Sequence, residues 1–349
     1  MFKKIHYTEH CTAPWEQIIL NSDLSYCPCC FGSSIGKISN VEDILHVWNS
    51  EGYRSIRRGL LNGNPVNMCL DCNYYKVIRN MKLIEVESNW IRKYNSDICI
   101  HKPSNIQLLM TERCNCNCIM CNLKKDGYDR VKNGLSIPFE FIEKLGETYF
   151  DDLEVLNPNC AGELSMYERF DDFLTLLENH RPKTVIFNTS GNLSLSDFTW
   201  LRILKTHDLI GFSLDSCSNT IHNAVRGFDF DIAINNIKKI KDIKSKYNLK
   251  FRLTFNFVIM KINLHEMFNF VKMAVETLGA TDISITHVSG HDDKSVIIEK
   301  EWSLFYNDEI KKVKDYLKRT NISRIEPGYS LNSYKKIKVV DQNIFRNVE

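Results

Sequence analysis

Leu108-Leu109-Met110-Thr111-Glu112-Arg113-Cys114-Asn115-Cys116-Asn117-Cys118-Ile119-Met120-Cys121 ends an apolar run, 106–110, with three cysteines spaced C-x3-C-x2-C. The run reads as a β-strand. Thiolates at Cys114, Cys118 and Cys121 suit three irons of a cubane 4Fe-4S cluster. A fourth ligand would complete an electron-transfer cluster. With three, one iron keeps an open coordination position, and an open position is where a metal site does chemistry. Cys116 is an extra thiol inside the loop. The alternatives are a zinc loop, or cysteines packed as small apolar side chains.

A chain of 349 residues is long enough for one large barrel and a small domain. Lys and Arg number 45 against 43 Asp and Glu, a net charge of +2. That balance gives no electrostatic case for nucleic acid or an anionic membrane. No apolar run is long enough to span a bilayer, and residues 1–10 lack the apolar core of a signal peptide. Thirteen cysteines without a secretion signal point to metal rather than disulfides, in a reducing cytoplasm. Cys11, Cys27, Cys29, Cys30, Cys69 and Cys72 precede residue 73, and four more lie in the quoted loop. Cys99, Cys160 and Cys217 are scattered. The layout predicts two metal sites on two domains.

Around the loop, short β-rich runs alternate with amphipathic helical patterns. Strands are predicted at 106–110, 153–156, 183–187, 209–214, 251–259 and 282–287. Between and after them come helices, among them one striped by Phe139, Phe141, Ile142 and Leu145, one over 170–179, one carrying Ile232, Ile234, Ile237 and Ile240, and one over 302–317. Asn263 is expected to cap the helix after the fifth strand. Six strand-helix units imply a parallel sheet with right-handed crossovers, whose sites collect at the C-terminal strand ends. The three cysteines come just after such an end. The division expected is a metal module at 1–72, a helical linker at 73–100, the α/β domain at 101–320 and an extension at 321–349 that forms a closing strand or a tail.

The cysteine spacing after a first strand resembles the radical S-adenosylmethionine (radical SAM) enzymes. Four further stretches resemble that family in order: Ala161-Gly162-Glu163, Asn188-Thr189-Ser190-Gly191-Asn192, Phe212-Ser213-Leu214-Asp215 with His222-Asn223-Ala224-Val225-Arg226-Gly227, and Asn263-Leu264-His265-Glu266. The resemblance implies a partial (β/α)6 TIM-like barrel and a cluster whose open iron chelates the methionine end of S-adenosylmethionine. One electron passed to the sulfonium then gives a 5′-deoxyadenosyl radical that abstracts hydrogen from substrate. It also implies that Ala161, Gly162 and Glu163 meet the methionyl ammonium, and that Ser190, Ser213, Asp215 and Arg226 complete the cofactor site. Arg226 offers a bidentate fork suited to a carboxylate. Ala161 stands where the family has glycine, which requires a negative φ there. Met120 stands where the family has an aromatic residue.

Cys11, the turn at Asp23-Leu24-Ser25-Tyr26-Cys27-Pro28-Cys29, Trp48-Asn49, Arg54 and Arg57, and Cys69-x2-Cys72 resemble the SPASM/twitch auxiliary-cluster domain. The resemblance implies a second 4Fe-4S cluster on Cys11, Cys29, Cys69 and Cys72, with Leu24 at the family's turn glycine. Cys27 or Cys30 in place of Cys29, and a zinc ribbon in place of the cluster, stay open. The family normally places this module after the barrel.

The expected activity is hydrogen abstraction followed by oxidation or cross-linking of a peptide or protein side chain, or of a small polar metabolite. A flavodoxin, ferredoxin or reductase would donate the electron, and the second cluster would accept one from the substrate radical. The alternatives are an epimerase or dehydrogenase acting on a sugar or aminoglycoside, with Cys217 or Cys160 returning hydrogen, and a non-catalytic iron-sulfur or zinc protein.

Overall fold

A computed structural model of the chain describes residues 5–8, 11–30, 32–70, 72, 84–87, 95–124, 127–159, 161–288, 294, 300–319 and 325–327. The chain divides into two compact units. The first comprises Met1–Glu112, Leu135–Ala161 and Thr175–Val185, and the second Arg113–Gly134, Gly162–Leu174 and Ile186–Glu349.

The first unit contains a two-stranded antiparallel pair, β1 (Ile5–Thr8) with β5 (Ile84–Glu87). Its larger sheet runs β4-β3-β2-β6-β7, with β2 at Gln17–Leu20, β3 at Ser25–Cys27, β4 at Gly36–Lys37, β6 at Asn105–Leu108 and β7 at Val155–Asn157. The last three strands of that order are parallel, Gln17 standing opposite Asn105 and Asn105 opposite Val155. The N-terminal module thus shares a sheet with the first two strands of the α/β pattern. All four residues of β6 are buried, as expected of a parallel strand covered on both faces.

The Trp48-Asn49 and Arg57 signature has a structural reason. Arg57 is fully buried and lies over the Trp48 and Tyr53 rings at 4.6 and 5.0 Å. Its guanidinium donates to Pro14 O, Asn49 Oδ1 and Asp97 O. Asn49 brackets Cys99, accepting from its N and donating to its O at 2.8 Å each. Leu24 takes φ +63°, so it makes the turn the family leaves to glycine. Asn21 O accepts from Leu24 N, Leu24 O accepts from Ile38 N, and Asp23 Oδ1 accepts from Ser25 N.

The stretch expected as a helical linker, 73–100, contains the strand β5 at Ile84–Glu87, and its residues 73–83 and 88–94 lie outside the described ones. Within the N-terminal module, two helices lie at Asp43–Trp48 and Glu51–Leu61.

The second unit is built on the all-parallel sheet β12-β11-β10-β9-β8. Its strands are β8 (Ile186–Thr189), β9 (Leu209–Ser213), β10 (Arg252–Ile259), β11 (Asp282–His287) and β12 (Ile325–Pro327). Phe187, Trp200, Phe212 and Phe255 form a buried aromatic row along the sheet, each ring about 6 Å from the next. Helices Asp197–Thr206, Asn219–Arg226, Phe230–Tyr247 and Met267–Met273 connect the strands. Of the C-terminal extension, Ile325–Pro327 is a strand; 328–349 lie outside the described residues. Among the described residues no helix is long and apolar enough to cross a membrane.

A left-handed Leu24 stores backbone strain that glycine would relieve. Leu24→Gly is expected to be about 1 kcal/mol more stable than Leu24→Ala, since both truncate the side chain but only alanine keeps the Cβ penalty. Urea unfolding midpoints of the two variants check this, and equal midpoints would mean the turn is unstrained.

Candidate functional site

The cysteine loop follows β6 and lies wholly in the second unit. Its four thiols, Cys114, Cys116, Cys118 and Cys121, are all half-buried. Cys116 is the hub: its thiol, with one proton to share, stands in hydrogen-bond reach of both Cys114 and Cys118 and is itself held strongly toward the protonated form. That proton draws the neighbours toward thiolate. Cys118 falls to about 6, by the Cys116 hydrogen bond and, against burial, by the charge of Arg226. The Cys114 thiol is lowered by Cys116 and, less, by Arg130, while burial and the Glu163 carboxylate oppose it. Metal ligands must be deprotonated, so this donor set fits a cationic iron cluster.

Three elements of the unit hold the loop. From the β8 end, Asn115 and Asn192 exchange amide bonds: Asn115 Nδ2 donates to Asn192 O at 3.0 Å, and Asn192 Nδ2 to Asn115 O and Cys116 Sγ at 3.5 and 3.8 Å. From the Asn219–Arg226 helix, the last carbonyls accept from the loop, Arg226 O from Asn117 N and Val225 O from Ile119 N, both at 3.0 Å. Carbonyls at a helix C-terminus lack intrahelical partners, so the loop caps the helix as the helix fixes the loop. Gly227 follows at φ +79°, where a Cβ would meet Asn117 Cβ at 2.9 Å. Met120, the residue that replaces an aromatic, packs with Ile119 against Val225, Met260 and Val288. From the other side, Arg130 Nη1 donates to Cys121 Sγ at 3.2 Å.

At the end of β9, Asp215 is fully buried and left-handed at φ +61°. Its Oδ2 pairs with Arg226 Nη2 at 2.5 Å, and its Oδ1 accepts from Val258 N at 2.6 Å. Burial still holds its carboxyl above the usual range, although Arg226 and Val258 N pull it down. Burial works against the Arg226 charge, but Asp215 more than restores it and holds the guanidinium above its ordinary pKa. Arg226 Nη1 donates to Cys118 Sγ at 3.7 Å. The fork expected to face a free carboxylate is thus occupied, leaving Nε without a hydrogen-bond partner.

Asn263 was expected to cap a helix and does not do so through its side chain. Instead its Nδ2 donates to Asp215 O and Val258 O at 2.9 Å, and its Oδ1 accepts from Met260 N at 2.8 Å. Glu266 accepts from Cys217 N at 2.9 Å and from Ser218 Oγ. Burial, with Glu266 adding, pushes the Cys217 thiol up to about 11. His222 is buried and neutral, lowered to about 4 by burial, with Nδ1 donating to Leu214 O at 2.8 Å.

Glu163 is buried, and Cys114 feels its charge. Its Oε2 accepts from Ser190 N and Oγ at 2.9 Å each, and its Oε1 from Ser165 Oγ at 3.0 Å. The left-handed residue of that turn is Gly162 at φ +75°. Ser213 Oγ accepts from Asn256 Nδ2 at 3.5 Å. Cys160 lies outside the described residues. Arg130, Asn115 and Asn192 are the site residues that sequence reasoning missed. Asn192 stood in a quoted stretch whose weight went to Ser190, and Arg130 belongs to no motif.

In the first unit, Cys11, Cys29, Cys69 and Cys72 stand within one another's electrostatic reach. Burial, then the fields of Cys29, Cys69 and Cys72, push the Cys11 thiol well up, and burial with Cys29 and Cys72 raises Cys69 to about 11. Cys27 points elsewhere: Asn21 Nδ2 donates to its sulfur at 3.6 Å. Cys30 is exposed and feels Cys29 and Cys72. Among the described residues no three acidic, His or Cys side chains converge as ligands of a single metal ion do. The first unit's thiols stand at Coulomb range instead.

Residues 11–73 match the SPASM family, an iron-sulfur cluster-binding domain. Among solved structures, SuiB of Streptococcus suis bound to S-adenosylmethionine is 15% identical, with a TM-score of 0.51 over 92% of this chain and 71% of that one. SuiB bound to its precursor peptide SuiA is also 15% identical, with a TM-score of 0.50 over 90% and 69%. No curated protein matches the sequence. At this identity the likeness shows the fold alone, an α/β fold shared with SuiB, and residues 11–73 match an iron-sulfur cluster-binding domain.

Removing Arg226 leaves Asp215 buried and unpaired. Arg226→Met is expected to cost about 3–5 kcal/mol, and adding Asp215→Asn to recover most of it. Unfolding midpoints of the single and double variants decide. An undiminished cost in the double variant would mean that Arg226 matters through packing alone.

Proposed function

We propose that the chain holds a 4Fe-4S cluster on Cys114, Cys118 and Cys121, binds S-adenosylmethionine at its open iron, and oxidises or cross-links a peptide or protein side chain. The observation that carries this is the loop itself: its cysteines at C-x3-C-x2-C spacing are clamped between Asn192, Arg130 and the end of the Arg226 helix, with Cys114 and Cys118 drawn toward thiolate. When bound, the cluster and S-adenosylmethionine supply a 5′-deoxyadenosyl radical to a substrate C–H.

The chain's own residues prepare the site. The thiolates bind iron, and the two arginines offset their charge. Glu163, with both oxygens already fixed by serines, keeps room for one more donor, which suits the methionyl ammonium. Arg226 Nε is the free donor for the methionyl carboxylate, and Ser190, Ser213 and Asp215 would complete the cofactor site. Gly162 gives the turn after β7 its left-handed residue, and Ala161 precedes it. Cys11, Cys29, Cys69 and Cys72 would hold a second cluster, which would supply a one-electron acceptor. A ferredoxin, flavodoxin or reductase supplies the first electron. The likeness to SuiB, seen with a precursor peptide, supports a peptide substrate.

One observation favours a second reading, an epimerase or dehydrogenase acting on a sugar or aminoglycoside: Cys217 keeps its S–H because burial and Glu266 raise its pKa to about 11. Turnover in deuterated water separates the two. Deuterium at one inverted carbon, lost in Cys217→Ala, supports epimerisation. A product two hydrogens lighter supports oxidation.

Anaerobic reconstitution is expected to give about eight irons, from two clusters of four. Cys114, Cys118 and Cys121 changed together to Ala should lose about half the iron and all formation of 5′-deoxyadenosine from S-adenosylmethionine. Cleavage that persists in the triple variant would defeat this reading. Cys69→Ala should keep S-adenosylmethionine binding while impairing turnover.

A further inference from the structure

Arg130 lies nine residues beyond the last loop cysteine and opens the short helix Arg130–Asn133. The helix start is fixed locally: Asp129 Oδ1 accepts from Val131 N and Lys132 N at 3.0 and 3.3 Å. From there the half-buried guanidinium reaches Cys121 Sγ at 3.2 Å, a shorter contact than the 3.7 Å between Arg226 and Cys118. The two cations therefore serve different ligands. Arg226 is bound to Asp215, whereas Arg130 also projects its charge onto Cys114.

We propose that Arg130 is a positioning residue of the cluster, holding the Cys121 sulfur and setting how readily the cluster accepts an electron. This rests on the assignment of Cys114, Cys118 and Cys121 as iron ligands. Reduction adds one negative charge to a cluster and its thiolates. A fixed cation that donates to a ligand sulfur stabilises the more negative state more than the less negative one. Cluster potentials follow net charge and hydrogen bonds to sulfur, and the surroundings of a ligand tune the metal as the ligand does. Arg is suited to this place because its guanidinium stays charged at any working pH and its planar fork keeps direction.

The test is a redox titration followed by electron paramagnetic resonance on the full-length, anaerobically reconstituted protein, without S-adenosylmethionine or substrate. Spectra are read as differences from the Cys114, Cys118 and Cys121 triple alanine variant, so that only the cluster of this loop is followed. Arg130→Met should keep the wild-type iron content. Its midpoint should move to more negative potential by a tenfold change in the reduction equilibrium, 59 mV for one electron. Arg130→Lys, which keeps the charge, should recover at least half of that shift. If Arg130→Met fails to take up iron, Arg130→Gln carries the same measurement with the same expected sign. A neutral variant with the wild-type midpoint, or a lysine variant displaced as far as the methionine one, overturns the proposal. A wild-type chain with no signal beyond the triple variant's overturns the ligand assignment and this proposal with it.

Discussion

The ion pair between Asp215 and Arg226 is the constraint on which the second unit's site depends. An isolated buried carboxylate is so costly that it neutralises or finds a partner. Asp215 has a cation, one backbone N–H from β10 and a left-handed backbone that turns its carboxylate inward. Backbone strain of this kind costs on the order of 1–3 kcal/mol and persists where the surroundings over-determine it. Here they do: Asn263 ties the Asp215 carbonyl to the β10 end, and Glu266 holds Cys217 and Ser218, two and three residues on. The pair fixes the side chain of Arg226, whose backbone carbonyl fixes Asn117 and whose guanidinium fixes Cys118. One buried interaction thus propagates to the loop that would carry iron.

Much of this was legible in the sequence, for a physical reason. Parallel strands with helices between them leave a strong pattern because each strand is apolar on both faces, and strand-end loops are where such folds place chemistry. C-x3-C-x2-C is a local constraint, complete within eight residues, so distant contacts cannot hide it. What sequence could not show were the hydrogen bonds between distant stretches. Asn263 looks like a cap because Asn often caps; its bonds to Asp215 and Val258 exist only once β9 and β10 are neighbours. Arg130 carries no spacing signal, since its reach to Cys121 is a contact of the folded chain and not a pattern in the sequence. Nor does any local pattern announce that β2 pairs with β6.

Leu24 shows the opposite case. The turn seemed to need glycine, and the chain keeps the turn without it, in the left-handed region, with the flanking backbone bonds made. A departure at one position of a signature therefore does not remove the geometry when neighbouring hydrogen bonds outweigh the cost. The same holds for Met120, which supplies in a buried cluster the apolar bulk an aromatic ring would bring.

The central claim is that the iron left without a cysteine in the Cys114–Cys118–Cys121 loop receives S-adenosylmethionine through its methionine end. Electron–nuclear double resonance on the reduced protein, with S-adenosylmethionine carrying 15N at the amino group, measures this directly. A 15N hyperfine coupling to the cluster, absent in the triple alanine variant, is the predicted result. A well-formed cluster signal with no 15N coupling at saturating S-adenosylmethionine would contradict the account.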